Sequence, residues 1–269
     1  MPSAQRIAVA GATGRVGHHA VDVLTGQGYE VVPISRRHGV DVITGQGLAA
    51  ALAGVECVID ATTGPSPEQQ AATEFFTTAA RNLQQAGQQA GVQRIVIVSI
   101  VGVDQSTGGY GAAKLAHEQA IRSGPAPVRV LRATQFHEFV AQLVDWGTQG
   151  DVGYVPAMRT QLVAARTVAE VLASLATGPG AAGPGSAGPG AAGPGAAGYT
   201  EVAGPREERL AEMARLLAAR RGYPAKIEEV IDESDPDQEL GRGGGLLPGP
   251  DAILGGPTYA EWLEPAPAT

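Results

Sequence analysis

The apolar positions of the first 130 residues follow two alternating periods. Runs of apolar residues that leave no polar face predict buried strands at 6–10, 29–34, 55–60, 94–99 and 128–131. Between these runs, apolar residues recur every three or four positions and predict helices at 14–25, 67–90 and 110–121. Strands that alternate with helices are typical of a parallel sheet covered by crossover helices. The pattern therefore predicts an α/β protein.

Beyond residue 150 the apolar pattern becomes weaker. It predicts short strands at 152–155, 161–163 and 199–202, and helices at 166–176, 205–221 and 257–263. The run 228–239 holds seven acidic residues and is typical of a solvated face or loop. We therefore divide the chain into a sheet core at 1–150 and a smaller C-terminal lobe, with the remaining sheet edge, at 151–269.

A low-complexity segment interrupts the C-terminal lobe at 178–198. Four pentapeptides of glycine, proline, alanine and serine follow one another at 178–197. Such residues offer no large side chains to a hydrophobic core, and the period of five excludes a collagen-like repeat. We expect this segment to be a flexible insertion at the protein surface.

Composition and charge exclude several classes of partner. The chain of 269 residues has a net charge of −8, so it lacks the basic surface that nucleic acids require. Its single cysteine, Cys57, excludes an intrachain disulfide. The amino terminus has no signal-peptide core, and no apolar stretch is long enough to cross a membrane. We expect a cytoplasmic protein that binds neither nucleic acid nor membrane.

The strongest chemical signal lies between the first predicted strand and the first predicted helix. Gly11, Gly14 and Gly17 recur there at every third position. In this context the first glycine permits a tight turn, the second admits a pyrophosphate close to the backbone, and the third lets the helix approach the strand. The free amides at the start of the helix then face the phosphates. The segment predicts a dinucleotide-binding turn.

With these residues in place, the chain resembles a known family. Its Gly-x-x-Gly-x-x-Gly spacing and the segments VIDATTG at 58–64, IVSIVGV at 97–103 and LRATQF at 131–136 are similar to the atypical, NmrA-like branch of the short-chain dehydrogenase/reductase superfamily. The resemblance implies a Rossmann-like, doubly wound parallel sheet with a small C-terminal lobe that caps the substrate. It also implies that an NAD(P) cofactor is bound by residues of the glycine turn and of the end of strand three, namely Gly11, Thr13, Gly14, Arg15, Val16, Gly17, Ala61 and Thr62.

The residues after the second strand indicate which cofactor binds. In a Rossmann-like fold the adenosine ribose lies at this point, and enzymes that use NAD usually place a carboxylate there. This chain has Ser35-Arg36-Arg37 instead. Because a guanidinium can pair with a 2′-phosphate, Arg36 and Arg37 predict a preference for NADP(H) over NAD(H), unless they are solvated loop residues. Arg15 could supply a second cation, as similar positions do in NADP-binding relatives.

Tyr110 and Lys114 stand one helical turn apart after strand four. On one helix face, a lysine ammonium favours the ionised form of a nearby phenol. The pair matches the Tyr-x-x-x-Lys of the superfamily, which implies that Tyr110 transfers a proton at the substrate oxygen and that Lys114 binds the nicotinamide ribose. Ser99 would orient the substrate, with Ser106 or Thr107 as substitutes. The alternative is that Tyr110 and Lys114 belong to a solvated helix face.

The remaining candidates concern the substrate. Gln135 and Phe136 follow strand five and would line the substrate pocket in this fold. The five histidines lack the spacing of a zinc site, and we expect no bound metal. We therefore expect an NADP(H)-dependent oxidoreductase, monomeric or homodimeric, that acts on a small organic carbonyl or alcohol. The alternatives are a non-catalytic NADP-binding redox sensor and a relative directed at quinones or nucleotide sugars.

Overall fold

The computed structural model describes residues 5–178 and 198–264. The predicted flexible insertion therefore lies outside the described residues, except for Gly178 and Gly198 at its two ends. Within these ranges the strands are, in chain order, β1 (Arg6–Ala10), β2 (Glu30–Ile34), β3 (Cys57–Asp60), β4 (Arg94–Ile100), β5 (Val128–Ala133), β6 (Thr148–Gln149), β7 (Val152–Pro156), β8 (Arg159–Thr160), β9 (Thr200–Ala203), β10 (Glu208–Arg209), β11 (Lys226–Val230) and β12 (Ile253–Leu254). The helices are α1 (Gly17–Gly26), α2 (Leu48–Ala51), α3 (Gln69–Ala90), α4 (Gly109–Arg122), α5 (His137–Gly147), α6 (Ala165–Thr177), α7 (Leu210–Arg221), α8 (Gln238–Gly243) and α9 (Tyr259–Leu263).

The largest sheet of the described chain is parallel. Its strand order is β12, β9, β5, β4, β3, β1 and β2, so β1 lies between β3 and β2. Ile7 and Ala8 of β1 point to opposite faces of the sheet and are both fully buried, as expected for a strand covered on both faces. Pro33 falls within β2, which lies at an edge of the described sheet, where a missing amide donor is tolerated.

Helices cover both faces of this sheet. On one face, α1 and α6 pack against Ile7 and Ile59. On the other face, α3 and α4 contribute Leu83 and Ile121 to a second core. A helix layer on each side makes the sheet doubly wound, so the predicted α/β, Rossmann-like fold class is confirmed. Among the helices of the described ranges, none has both the length and the apolar character needed to cross a membrane.

A smaller lobe contains α5, α7 and α9, which surround a core of their own together with β7. In the described chain it also holds the antiparallel pair β8–β10 and a sheet of β11, β7 and β6. The predicted strand at 161–163 is wrong. The carbonyl oxygen of Gln161 accepts from the Thr134 hydroxyl and the Gly204 amide, and that of Leu162 accepts from the His137 ring. Of the described residues 161–163, Val163 alone forms a backbone bridge, with Phe136.

The acidic run at 228–239 is only partly a solvated loop. Glu228 and Glu229 belong to β11, which pairs in parallel with β7. Residues 231–236 are exposed, as predicted. The carboxylate of Asp237, however, accepts hydrogen bonds from the amide and the hydroxyl of Thr107 at 2.7 and 2.9 Å. This contact attaches the C-terminal lobe to the loop that precedes α4.

Four helices, namely α1, α3, α7 and α9, begin later than their patterns predict, and two of them show the cause clearly. α3 begins at Gln69 and not at Pro67, because the carboxylate of Glu68 caps the helix by accepting from two backbone amides at 3.1 and 3.0 Å. α7 begins at Leu210 and not at residue 205, because Glu208–Arg209 form β10 first. The Glu68 cap satisfies amides that have no partner within the helix, and pairing with β8 keeps residues 208–209 extended, so each contact sets where its helix begins.

Candidate functional site

Two glycines of the turn between β1 and α1 lie too close to other backbone for any side chain. Gly11 has a φ of +77°, and a Cβ atom there would lie 2.5 Å from the carbonyl oxygen of Ala61. A Cβ atom at Gly17 would lie 2.0 Å from the carbonyl oxygen of Gly11. Both positions therefore require glycine. The turn brings β1, the end of β3 and the start of α1 into direct contact.

The same turn leaves backbone donors open. The amides of Thr13, Arg15 and Val16 donate to no atom in the described part of the chain, and no side chain caps α1. Thr13, Gly14 and Arg15 are exposed to solvent. Open amides at the positive end of a helix dipole bind anions such as a pyrophosphate. The residues present therefore fit the dinucleotide that the glycine spacing predicts.

The turn opens at the carboxyl edge of the sheet, where β1 separates β2 from β3. Ligands of open α/β sheets bind at such a point, because the chain connections on either side diverge and leave a crevice. On the β3 side, Oδ1 of Asp60 accepts a hydrogen bond from the amide of Thr62 at 3.0 Å. This bond fixes the segment that contains Ala61, whose carbonyl faces Gly11.

A short 3-10 turn follows β2 and contains Arg36 and Arg37. It adjoins the glycine turn, because the amide of Gly11 donates to the carbonyl oxygen of Ile34 at 3.0 Å. Both arginines are exposed, and neither forms an ion pair with any described residue. The structure thus places two open guanidinium groups beside the glycine turn.

Arg15 is part of the glycine turn, and its side chain lies near α5 and the start of α4. Its guanidinium donates to the side-chain oxygen of Gln142 at 3.2 Å. Burial raises the pKa of Tyr110 and of Glu138, and the charge of Arg15 opposes this effect at both groups. The predicted second cation of the turn is therefore close to the predicted proton donor.

Tyr110, the second residue of α4, is half-buried against the ring of Phe76 at a centroid distance of 5.7 Å. Burial raises the pKa of its phenol, and the Thr63 hydroxyl and the Arg15 charge oppose this only in part. The expectation that Lys114 lowers the pKa of Tyr110 is wrong in this structure, because the ammonium is held by other groups. The phenol nevertheless lies among residues of the glycine turn and of the segment after β3.

The Lys114 side chain is buried, and the residue is only 4% exposed. Its Nζ donates to the carbonyl oxygen of Val98 at 2.9 Å and to Nδ1 of His117 at 3.0 Å. Burial lowers the pKa of Lys114 to about 8, against the opposing charges of Asp60 and Glu118. A solvated helix face, the alternative interpretation, does not describe this residue.

The sequence pattern did not predict the pair that Asp60 forms with His117. Nε2 of His117 lies 3.0 Å from Oδ2 of Asp60, and both side chains are 1% exposed or less. Burial alone would raise the pKa of Asp60, but the hydrogen bonds from His117 and Thr62 hold it at about 2. A signal for this pair did exist in the sequence. His117 stands three residues after Lys114, on the same helix face, and Asp60 ends the third predicted strand.

Ser99 is 3% exposed, and its hydroxyl has no hydrogen-bond partner among the described residues. It lies two residues after Ile97, a residue of the core beneath α4, and therefore faces α4 as well. Of its proposed substitutes, Thr107 is held by Asp237, and Ser106 is half-buried against Gly111. The structure brings Ser99 to the α4 face of the sheet, with its hydroxyl in the interior.

Gln135 and Phe136 lie in the segment between β5 and α5. The side-chain oxygen of Gln135 accepts a hydrogen bond from the Thr160 hydroxyl at 2.7 Å, which connects it to β8 of the C-terminal lobe. Phe136 packs against the core beneath α1 and α6 and forms a backbone bridge with Val163. Gln135 is therefore at the junction of sheet and lobe, whereas Phe136 makes packing contacts.

Comparison with known proteins agrees with this geometry. A family model described as NAD(P)H-binding matches residues 11–179, more than half of the chain, and its match begins at Gly11. The chain belongs to the NAD(P)H-binding family. The NAD(P)-binding membership that the glycine spacing predicts is thereby confirmed. Among proteins of curated function, none matches the sequence of this NAD(P)H-binding protein.

Solved structures of low sequence identity share the fold of this NAD(P)H-binding protein. NADPH-dependent quinone oxidoreductase QOR2 from Escherichia coli, complexed with NADPH, is 18% identical, with a TM-score of 0.65 over 95% of this chain and 98% of that one. Thermus thermophilus UDP-glucose 4-epimerase in complex with NAD is 18% identical, with a TM-score of 0.64 over 86% and 88% of the two chains. A short-chain dehydrogenase/reductase superfamily protein from Agrobacterium tumefaciens with bound NAD is 19% identical, with a TM-score of 0.59 over 89% and 92%. At these identities the likeness concerns the fold alone.

Proposed function

We propose that this NAD(P)H-binding protein is an NADP(H)-dependent oxidoreductase of the short-chain dehydrogenase/reductase type that acts on a small organic carbonyl or alcohol. The position of Tyr110 supports this most directly. Its phenol is close to Arg15 of the glycine turn and to Thr63 after β3. A proton donor therefore lies beside the crevice in which a dinucleotide would bind.

The chain's own residues would hold the cofactor. Bound NADP(H) would supply or accept a hydride at its nicotinamide ring. Open amides of the glycine turn would bind the pyrophosphate, and the end of β3 would line the crevice, through Gly11, Thr13, Gly14, Arg15, Val16, Gly17, Ala61 and Thr62. Arg36 and Arg37, which have no ion-pair partner among the described residues, would bind the 2′-phosphate and favour NADP(H) over NAD(H).

The residues of α4 and β4 would act on the substrate side. Burial raises the pKa of Tyr110, so its phenol stays protonated near neutral pH and suits proton donation to a carbonyl oxygen. Lys114 would donate a hydrogen bond to the nicotinamide ribose, and Ser99 would orient the substrate oxygen. Gln135 and Phe136 would line the substrate side of the crevice. A protonated phenol is the form that reduction of a carbonyl requires.

One observation favours a second candidate, a redox sensor that binds NADP(H) without turnover. The ammonium of Lys114 faces His117 and not the phenol of Tyr110, so the phenol lacks the cation that would ease its ionisation. Such a protein would keep the dinucleotide site and lack a competent proton donor. Binding and turnover must therefore be measured separately.

Oxidation of NADPH with a panel of aldehydes, ketones, quinones and nucleotide sugars tests the proposal. The wild-type protein should oxidise NADPH with at least one carbonyl compound. Tyr110→Phe should lower kcat roughly 100-fold or more, the effect of losing a general acid, and should leave NADPH affinity nearly unchanged. Tyr29→Phe is the control, because Tyr29 directly precedes β2 at the amino edge of the sheet. NADPH binding without turnover of any compound would contradict the oxidoreductase and support the sensor.

A further inference from the structure

Lys114, His117 and Asp60 form one continuous line of hydrogen bonds inside the protein. Nζ of Lys114 lies 3.0 Å from Nδ1 of His117, and Nε2 of the same ring lies 3.0 Å from Oδ2 of Asp60. The other oxygen of Asp60 accepts from the amide of Thr62 at 3.0 Å. The line thus begins on α4 and ends on the segment that contacts the glycine turn.

The chemistry of these groups fixes the position of each proton. An ammonium can only donate, so Nδ1 of His117 accepts the hydrogen bond from Lys114. The proton of the neutral ring is then on Nε2, which donates to the Asp60 carboxylate. Burial and the charge of Lys114 lower the pKa of His117 against the opposing effects of Asp60 and Glu118, which agrees with a neutral ring whose Nδ1 accepts. In this arrangement the Lys114 ammonium donates to Nδ1 of His117, and Nε2 of the same ring donates to the Asp60 carboxylate.

Lys114 keeps one donor that no described residue uses. An ammonium has three N–H donors. Those of Lys114 reach the carbonyl oxygen of Val98 at 2.9 Å and Nδ1 of His117. The ring of Phe76 closes the side toward α3, since its centre lies 4.3 Å from Nζ and 4.9 Å from the centre of the His117 ring. The third donor has no hydrogen-bond acceptor among the described residues.

The other charged groups in this region are paired with one another. Glu118 of α4 accepts two hydrogen bonds from Arg132 of β5, at 3.0 and 3.1 Å, and Arg132 also binds Asp104. The element α3 contributes the uncharged ring of Phe76. Of the two carboxylates that favour the charged form of Lys114, Asp60 has the larger effect, ahead of Glu118. Asp60 is therefore the main electrostatic partner of Lys114.

The use of lysine in this chain is restricted. The sequence contains 17 arginines and only two lysines, Lys114 and Lys226. Lys226 is exposed and pairs with Glu228. A guanidinium is larger than an ammonium and stays charged at ordinary pH values, whereas an ammonium fits between a carbonyl and a ring nitrogen and can lose its proton. The buried site at position 114 therefore has room for the ammonium of a lysine but not for the guanidinium of an arginine.

We propose that Asp60 and His117 are positioning residues for Lys114. The Asp60 carboxylate holds the His117 ring in one tautomer and one orientation, and the ring holds the Lys114 ammonium so that its remaining donor is available to the ribose of the dinucleotide. This inference rests on the proposed function, which assigns that ribose to Lys114.

Nuclear magnetic resonance of protein labelled only on lysine tests the coupling without any cofactor. The two lysines give two side-chain signals, and Lys226 serves as an internal control. In the wild type the signal of Lys114 should titrate at a pH of about 8. Asp60→Asn removes the carboxylate that most favours the charged form, so the titration of Lys114 should move to lower pH while Lys226 is unchanged. An unchanged Lys114 titration in this variant would overturn the coupling.

Two replacements of His117 separate the two contacts of its ring. An asparagine amide can take the place of Nδ1 and accept from Lys114, whereas a glutamine amide takes the place of Nε2 and reaches Asp60. His117→Gln should weaken NADPH binding about tenfold, the equivalent of one hydrogen bond, and His117→Asn should retain most of the affinity. Gln84→Met is the matched control, because Gln84 is also buried and bonded to α4 through the Ile121 carbonyl, outside this line.

The results separate the inference from the proposed function. If the wild type binds neither NADPH nor NADH, the proposed function fails, and the lysine titration still shows whether Asp60 acts on Lys114. If the wild type binds NADPH and both His117 variants bind it as tightly as Gln84→Met does, the positioning role is overturned. Thermal unfolding identifies any His117 variant that does not fold, and the titration in Asp60→Asn then decides the case.

Discussion

At Gly17 an added methyl group would meet the carbonyl oxygen of Gly11 at 2.0 Å. This carbonyl belongs to the glycine turn, so relief of the clash must move either the turn or the first residue of α1. Either movement displaces the amides of Thr13 and Arg15, which have no acceptor in the described chain and are proposed to bind a pyrophosphate. The close approach of backbone at this residue is therefore a condition for binding as well as for packing.

Gly17→Ala should abolish NADPH binding and lower the free energy of unfolding by about 1–3 kcal/mol, the cost of an overpacked position. The matched control is Gly26→Ala in the same helix, where an added Cβ atom meets nothing within 4 Å. Alanine is the better helix former by up to about 1 kcal/mol, so the control should be neutral or stabilised. Calorimetric titration and urea denaturation measure the two effects. Undiminished NADPH affinity in Gly17→Ala would disprove the role of the turn.

Asp60 should make the stability of the protein depend on pH. Its pKa in the folded chain is about 2, below the ordinary value of 3.8, so the unfolded chain takes up the proton more readily. The stabilisation from Asp60 is therefore fully present above about pH 4 and is lost as the pH falls towards 2. At neutral pH, Asp60→Asn should lower the free energy of unfolding by about 2 kcal/mol, the effect of losing a hydrogen bond to a buried charge.

Urea denaturation of the wild type and of Asp60→Asn at neutral pH and near the folded pKa of Asp60 checks this prediction. The difference between the two proteins should shrink at the lower pH, because the wild-type carboxylate is then partly protonated. A difference of equal size at both pH values would show that the Asp60 carboxylate is not the titrating group.

The short turn after β2 is the element that should distinguish the two cofactors, which differ in the 2′-phosphate. Replacing both of its arginines, as Arg36→Ala with Arg37→Ala, should raise the Kd for NADPH about 10- to 100-fold, since hydrogen bonds between charged groups contribute roughly 1.5–3 kcal/mol. The Kd for NADH should not change. Arg81→Ala on the exposed surface of α3 is the control. Equal losses for NADPH and NADH would count against a 2′-phosphate site.

The strands could be predicted from the sequence where they are buried on both faces, as in β1 and β4, because continuous apolar runs mark them. The starts of helices were harder to predict. α1 begins at Gly17 and not at Gly14, since the turn holds the intervening backbone outside the helix. α3 begins only after Glu68, whose carboxylate caps its first amides. Periodicity does not report such local contacts at the start of a helix.

Contacts between distant segments could not be predicted from the pattern. Glu228 and Glu229 become part of a strand only because β7 lies beside them, and an acidic run carries no signal of that neighbour. The spacing of Tyr110 and Lys114 predicts a shared helix face, but it does not show that the ammonium is held by His117. Asp60 completes that contact from a strand far away in the chain.

On the scale of the whole molecule, the order of the parallel strands assembles the candidate site. The segments after β1, β2, β3 and β4 leave the sheet at the same edge, which brings together the glycine turn, the two open arginines, Asp60 and the loop before α4. This part could be predicted, because parallel strands place their carboxyl ends side by side. The C-terminal lobe reaches the same edge through Asp237 and Thr107, a contact that no sequence motif marked.

Calorimetric titration of the purified protein with NADPH tests the central claim most directly, namely that the turn at Gly11, Gly14 and Gly17 binds a dinucleotide. The account predicts one binding site per chain and a rise in unfolding temperature with ligand, worth about 2.7 kcal/mol of stabilisation at 100 times the Kd. Absence of both heat and stabilisation, with NADPH and with NADH, would contradict it.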